Sequence, residues 1–274
     1  MENKLPIWQT TKESFKFVYH HFMNWMRLAS APFVIMVLAG IFVMAMGGTA
    51  AYVMDGHQNE LAGMEMEAMG AGMGVMVVAF IANMVAFLMF AVNGYRYVMY
   101  NEGGDKWVEF RFDKNMWRVF LFSLLVILIL ALAGGVVAGV TAFVAMMDMT
   151  TLTVVVGSLG ALAVAYLTMR MIFVVPFAAI GMEKPIKDSL EVAKGRVIRL
   201  FLLILLVTVL VVLVTFAVML IVGLVFGLLG ATNVGVLLGI GAGLMIVTQV
   251  LMNLFGQAVG MTAFIMAYKH IAGK

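Results

Sequence analysis

The sequence predicts an all-α membrane protein: six transmembrane helices paired as three hairpins, with cytoplasmic amphipathic helices in the membrane interface. Three observations carry this. The chain is 64% hydrophobic and 11% charged over 274 residues, where a soluble domain is roughly 45–50% apolar and about 25% charged. Its apolar residues gather into runs long enough to cross hydrocarbon, which takes about 20 residues per helix. Its 17 Lys and Arg fall on one side of an alternating series of connections, as basic loops kept cytoplasmic do.

Residues 1–28 are read as a cytoplasmic amphipathic segment and residues 29–274 as the six-span domain. In the first, Thr10 and Glu13 have capping-box spacing. Phe15, Val18, Phe22 and Trp25 with Met26 recur on one helical face, while Lys12, Lys16, His20 and Asn24 lie off it. A helix lying in the interface is expected, aromatics toward lipid and cations toward water. Arg27 marks its insertion point.

The spans are expected at about 29–53, 69–95, 117–146, 152–180, 200–228 and 235–267. Pro32 sits in the opening turn of the first, where proline is tolerated. The second closes on Gly94-Tyr95-Arg96-Tyr97, read as an aromatic belt with a cationic anchor. Beyond it, Val108, Phe110 and Phe112 alternate with Glu109, Arg111 and Asp113, a period of two that predicts a partly extended segment. Asp113 is placed to cap the next helix. A tight turn is expected at Asp148–Thr151, and Pro176 should kink the fourth span. A surface helix follows, with Ile186, Leu190, Ala193 and Val197 as its apolar face.

Orientation follows from charge. The odd-numbered connections hold Asp55, Glu60, Glu65, Glu67 and Asp148 and no Lys or Arg. Both termini are therefore expected in the cytoplasm, which requires an even number of spans. Asn24-Trp25-Met26-Arg27-Leu28, Met116-Trp117-Arg118-Val119-Phe120 and Val197-Ile198-Arg199-Leu200-Phe201 occupy equivalent positions before the odd-numbered spans. They suggest a threefold repeat, although an arginine at each insertion point would arise by convergence as well.

From Phe173 to Phe201 the chain has an apolar helix ending in Val175-Pro176, a short acidic link at Glu183, and an amphipathic helix with Ser189 and Lys194-Gly195 leading into a long apolar span. This stretch resembles uncharacterised bacterial inner-membrane proteins related to the membrane domain of some glycerophosphodiester phosphodiesterases and to the YciC-like proteins. The soluble hydrolytic barrel of the two-domain relatives has no counterpart here. The resemblance therefore implies a bacterial inner-membrane module without phosphodiesterase activity.

Few residue sets point to chemistry. With no cysteine, the chain has no disulfide, thiolate nucleophile or Cys-ligated metal. On the outer side, His57, Met64, Met66, Met69, Met147 and Met149 are soft ligands of the kind Cu(I) takes. Against that, the chain has 27 Met, many in mid-membrane, where Met serves as a flexible filler. Gln249, Asn253 and Gln257 recur every four residues in the sixth span. Amides in hydrocarbon need partners, and Asn83 and Asn93 are the candidates. Arg27, Arg118, Arg170, Lys194, Arg196 and Arg199 are candidate lipid-headgroup contacts, with Arg170 expected to snorkel to the interface. Gly134-Gly135 with Gly139, and Gly235, Gly239 and Gly243, should allow close helix approach.

No phosphate loop, zincin motif or paired intramembrane carboxylate is present. The expectation is a non-catalytic accessory or scaffold protein without a resident cofactor. Its expected partners are the lipid bilayer and a membrane protein or a second copy, not nucleic acid. The alternative is a small transporter or copper-handling protein using the Met-rich outer face.

Overall fold

A computed structural model describes residues 5–56, 61–103, 107, 113–230 and 235–273, without the side chains of 43–56, 61–73, 76, 226–230, 235–243 and 246. Its elements are α1 (Ile7–His20), α2 (Phe22–Gly56), α3 (Leu61–Tyr100), α4 (Lys114–Ala145), α5 (Thr150–Met171), α6 (Val174–Ala179), α7 (Pro185–Ala193), α8 (Val197–Gly230) and α9 (Gly235–Ala272). Six stretches are long and apolar enough to cross a membrane: Phe22–Phe42, Val77–Tyr100, Lys114–Ala145, Thr150–Ala179, Val197–Val225 and Val247–Ala272. The protein is a polytopic, all-α membrane protein in contact with lipid. The most extensive packing joins α2 to α3, α4 to α5 and α8 to α9, so the three hairpins are formed. At 1.5 Å per residue the 40-residue α3 is about 60 Å long. That is twice the thickness of a bilayer's hydrocarbon.

The core sits at one end of the bundle, the end that carries Arg27, Arg96, Arg118 and Lys269. There Trp25 and Leu28 of α2, Phe90 to Val98 of α3, Val119 of α4, Leu200 and Leu203 of α8, and Val259 to Tyr268 of α9 are buried together. All of α6 except the half-buried Val175 is buried among them.

Pro176 explains α6. Its nitrogen has no proton to give the carbonyl of Ile172, and its ring crowds that carbonyl. The helix accordingly breaks at Ile172–Phe173, four residues before the proline, rather than kinking at it. Beyond the break, α6 ends in a Schellman motif: Met182 N–H bonds Phe177 O at 3.0 Å and Gly181 N–H bonds Ala178 O at 3.3 Å. Gly181 has φ of +88°, a conformation that suits glycine.

The short helices α1 and α7 depart from expectation. The aromatic face of α1 was expected to lie in lipid. Instead its buried residues are Thr10, Thr11, Ser14 and Val18, and it packs on α9 and α8. Trp8 and Tyr19 are exposed. The physical reason is size and self-satisfaction. Small side chains let the helices close up. Each hydroxyl bonds its own helix: Thr10 to Pro6 O at 2.9 Å, Thr11 to Ile7 O at 2.9 Å and Ser14 to Thr10 O at 2.7 Å. Their burial then leaves no polar atom unpaired. Thr10 is thus inside the helix and not its cap; Pro6 precedes the first turn. On α7 the buried residues are Pro185, Ser189 and Ala193. Of the apolar face expected at Ile186, Leu190, Ala193 and Val197, Ala193 is buried and the other three are only half-buried.

Other expectations meet mixed results. Asp113 does cap α4, its carboxylate accepting from Asn115 N–H and Met116 N–H at 3.1 Å each. Tyr95 and Tyr97 are buried in the protein, not in a lipid-facing belt. The alternating segment 108–112 lies outside the described residues. Gly134, Gly135 and Gly139 face open space, whereas a Cβ on Gly94 would lie 2.6 Å from Met261 Sδ, and one on Gly256 would lie 2.9 Å from Val211. Close approach therefore uses those two glycines, and Gly160 against Val137. Gly235, Gly239 and Gly243 are in α9, but their surroundings lie outside the described residues.

Candidate functional site

The amide stripe on α9 becomes one wall of a cleft. Gln249, Asn253 and Gln257 recur at helical spacing and face α2 and α3. The opposite walls are Pro32, Phe33 and Met36 of α2, and Asn83, Ala86, Phe87 and Phe90 of α3. The cavity between them is about 360 Å³ and partly open. Asn83 thus joins the stripe as expected. Asn93 does not: it is buried ten residues further along α3, away from this wall.

Depth follows from helix geometry. Asn83 lies 13 residues from Arg96 on a continuous helix, a rise of about 20 Å. With Arg96 at the headgroup boundary, the cleft lies near the middle of a hydrocarbon layer about 30 Å thick.

The amides are only partly used. Gln257 Nε2 donates to Asn253 Oδ1 at 2.7 Å, and Asn83 Nδ2 donates to Ala79 O at 2.9 Å. That leaves the second N–H and Oδ1 of Asn83, both N–H groups of Asn253, and the second N–H and Oε1 of Gln257. Gln249 has no hydrogen bond among the described residues. Both donors and acceptors are on offer, with no charged side chain on the walls. A second cavity of about 230 Å³ between α8 and α9, near Val207, Thr208 and Gly260, is almost wholly apolar.

The candidate headgroup residues mostly turn to protein. Arg118 donates to Gly181 O at 3.2 Å and also to Met182 O, holding the turn that follows α6. Arg170, expected to snorkel, donates instead to Leu190 O of α7 at 3.0 Å and lies over the Tyr166 ring. Arg196 reaches Val192 O at 3.3 Å, and Arg27 lies 5.5 Å from the centre of the Trp107 ring. Lys194 and Arg199 have no such contact among the described residues, and Lys194 is exposed. The three arginines of the suggested repeat therefore do three different things. The tryptophans beside them differ too: Trp25 is buried and Trp117 exposed. The register explains it. Trp25 precedes its arginine by two residues and Trp117 by one, a difference of about 100° round a helix.

Two polar joints were not anticipated. Ser189 of α7 accepts from Phe173 N–H at 3.2 Å and donates to Arg170 O at 2.8 Å, satisfying both sides of the α5–α6 break. Arg96 donates to Glu102 at 3.0 Å and to Asp113 at 3.2 Å, tying the end of α3 to the cap of α4. A serine four residues after a proline that opens a helix, itself downstream of a proline break, is the signal that could have found the first. The second has no local signal.

Of the candidate copper ligands, Met147 and Met149 stand half-exposed at the α4–α5 turn. His57 lies outside the described residues, as do the side chains of Met64, Met66 and Met69. Comparison with protein-family models, with curated proteins and with solved structures finds no match to any of them.

Proposed function

We propose that this chain is a non-catalytic accessory protein, a scaffold that holds a second membrane protein through its α4–α5 hairpin. The placement is the inner membrane of a bacterium with both termini cytoplasmic. The carrying observation is burial in the most apolar 18-residue window of each span: 44% for the span Val77–Tyr100, but 6% for Lys114–Ala145 and 0% for Thr150–Ala179. The hairpin is held at its core end, through α6 and α7, and presents Leu132, Val136, Val140 and Phe143 outward. The charge asymmetry of the connections and the resemblance of Phe173–Phe201 support the placement. The short helices α1 and α7 are already packed on the bundle, which leaves this hairpin as the docking surface.

A photoreactive residue at position 136 or 140, cross-linked in intact membranes, tests this. The expected product is one heavier species with a defined partner whose assembly fails in a deletion strain. Cross-links to lipid alone overturn it. The amide cleft supports a second reading, a small transporter; solute uptake and copper sensitivity in the deletion strain separate the two.

A further inference from the structure

We propose that the cleft between α2, α3 and α9 is a binding site for an uncharged amphiphile whose small head carries hydroxyl or carbonyl oxygens. This does not rest on the scaffold reading. Four features define the ligand. Phe33 and Phe87 on its walls are exposed within apolar spans, so a ligand can arrive through the lipid and leave a tail there. Its volume of about 360 Å³ is in the range of small-molecule sites. The walls carry no charge, so a phosphate or carboxylate head would be buried without a counter-ion, which is costly. Phe33, Phe87 and Phe90 supply apolar contact for a flat head or the first segment of a tail.

The polar side of the match is the amides. A carboxamide open to hydrocarbon has no water to bond, and an unpaired polar group there is expensive. A purely structural clamp would pair Gln249 and Asn253 with the opposing helix. Here Gln257 and Asn253 bond each other along α9, and Asn83 bonds its own helix. The remaining donors and acceptors stand on two facing walls, Asn83 on α3 and Gln249 with Asn253 on α9. A head with oxygens on two sides would bond both walls. Quinones and quinols have this chemistry, and so do diacylglycerols.

The test uses the full chain in phosphatidylcholine nanodiscs, with decylubiquinone and dioctanoylglycerol as ligands and dioctanoyl phosphatidic acid as the charged control. Native mass spectrometry reads occupancy, and thermal unfolding reads stability. Saturable binding of one molecule of either neutral ligand is expected, with neither displaced by the control. In Gln249→Leu with Asn253→Leu, affinity should fall at least about tenfold, one good hydrogen bond's worth. The melting temperature without ligand should hold or rise, because leucine suits hydrocarbon better. Met36→Trp, which fills the cleft and keeps the amides, should also abolish binding. The two neutral ligands distinguish a ring head from a glycerol head. Equal partitioning into wild type and variants, tighter binding of the charged control, or a change of oligomeric state without ligand binding would each overturn the proposal. The last outcome would give the cleft to a second copy of the chain.

Discussion

A single hydroxyl holds the most irregular backbone in the bundle together. Ser189 is fully buried and bonds one group on each side of the α5–α6 break. Replacing it with alanine strands Phe173 N–H and the Arg170 carbonyl away from water. A buried group left unpaired costs about 1–3 kcal/mol. Ser189→Ala should therefore lower the thermal midpoint of the purified protein, and Ser189→Thr should restore part of the loss if its methyl fits. Gly94 is the second sensitive residue. Its missing side chain lets Met261 Sδ and Trp25 meet α3, so Gly94→Val should destabilise more than Gly134→Val, which points into open space. Midpoints measured in one detergent decide both comparisons. Asp113 was legible because a cap is a local device. Ser189 was not, because its partners are two backbone groups at the break made by Pro176, thirteen residues earlier, and they meet it only in three dimensions.

At the scale of elements, α1 is fastened to α9 by a face of small residues and by a side-chain contact between Glu13 and His270. His270 Nε2 lies 3.0 Å from Glu13 Oε2. The hydrogen bond from Gln9 holds the Glu13 carboxyl below its ordinary value of 4.5, and His270 adds to that shift. A depressed folded value means the contribution is present above about 4.5 and is lost as pH falls below it. Amide-exchange protection in residues 7–20, taken relative to the intrinsic rate at each pH, should then fall in that acid range, and less so in Glu13→Gln, which starts without the charge. No change in protection down to pH 3.5 would mean the pair contributes nothing. The helix itself was readable from its periodicity. Its orientation was misread because hydrophobicity was taken as the guide to burial. In a membrane the lipid accepts aromatics as readily as the core does, and close packing selects small residues instead. The same reasoning applies to α7, where Ser189 and Ala193 are buried and Leu190 only half so.

At the scale of the whole molecule, the hairpin plan was legible because hydrocarbon thickness and charge placement are global constraints that a linear sequence records. The cleft was legible in half: spacing put Gln249, Asn253 and Gln257 on one face and named Asn83 as a partner, but nothing local said that a void separates them. Orientation is tested by labelling. Glu60→Cys should react with an impermeant maleimide added outside intact cells, and Asp105→Cys should react only after the cells are opened. The reverse pattern would invert the membrane placement and move Met147 and Met149 to the cytoplasmic side.

The position of the core at one end has a consequence for biogenesis. Val18 and Phe15 near the start of the chain lean on α9, and Phe255, Val259 and Ile265 are supplied only after some two hundred and fifty residues have been threaded into the bilayer. Contacts so distant along the chain form late, since loop closure must precede them. Until then the first two hairpins have no lid over their inner halves. A ribosome-stalled chain ending before position 247 should accordingly be cut by a membrane protease that spares the completed protein.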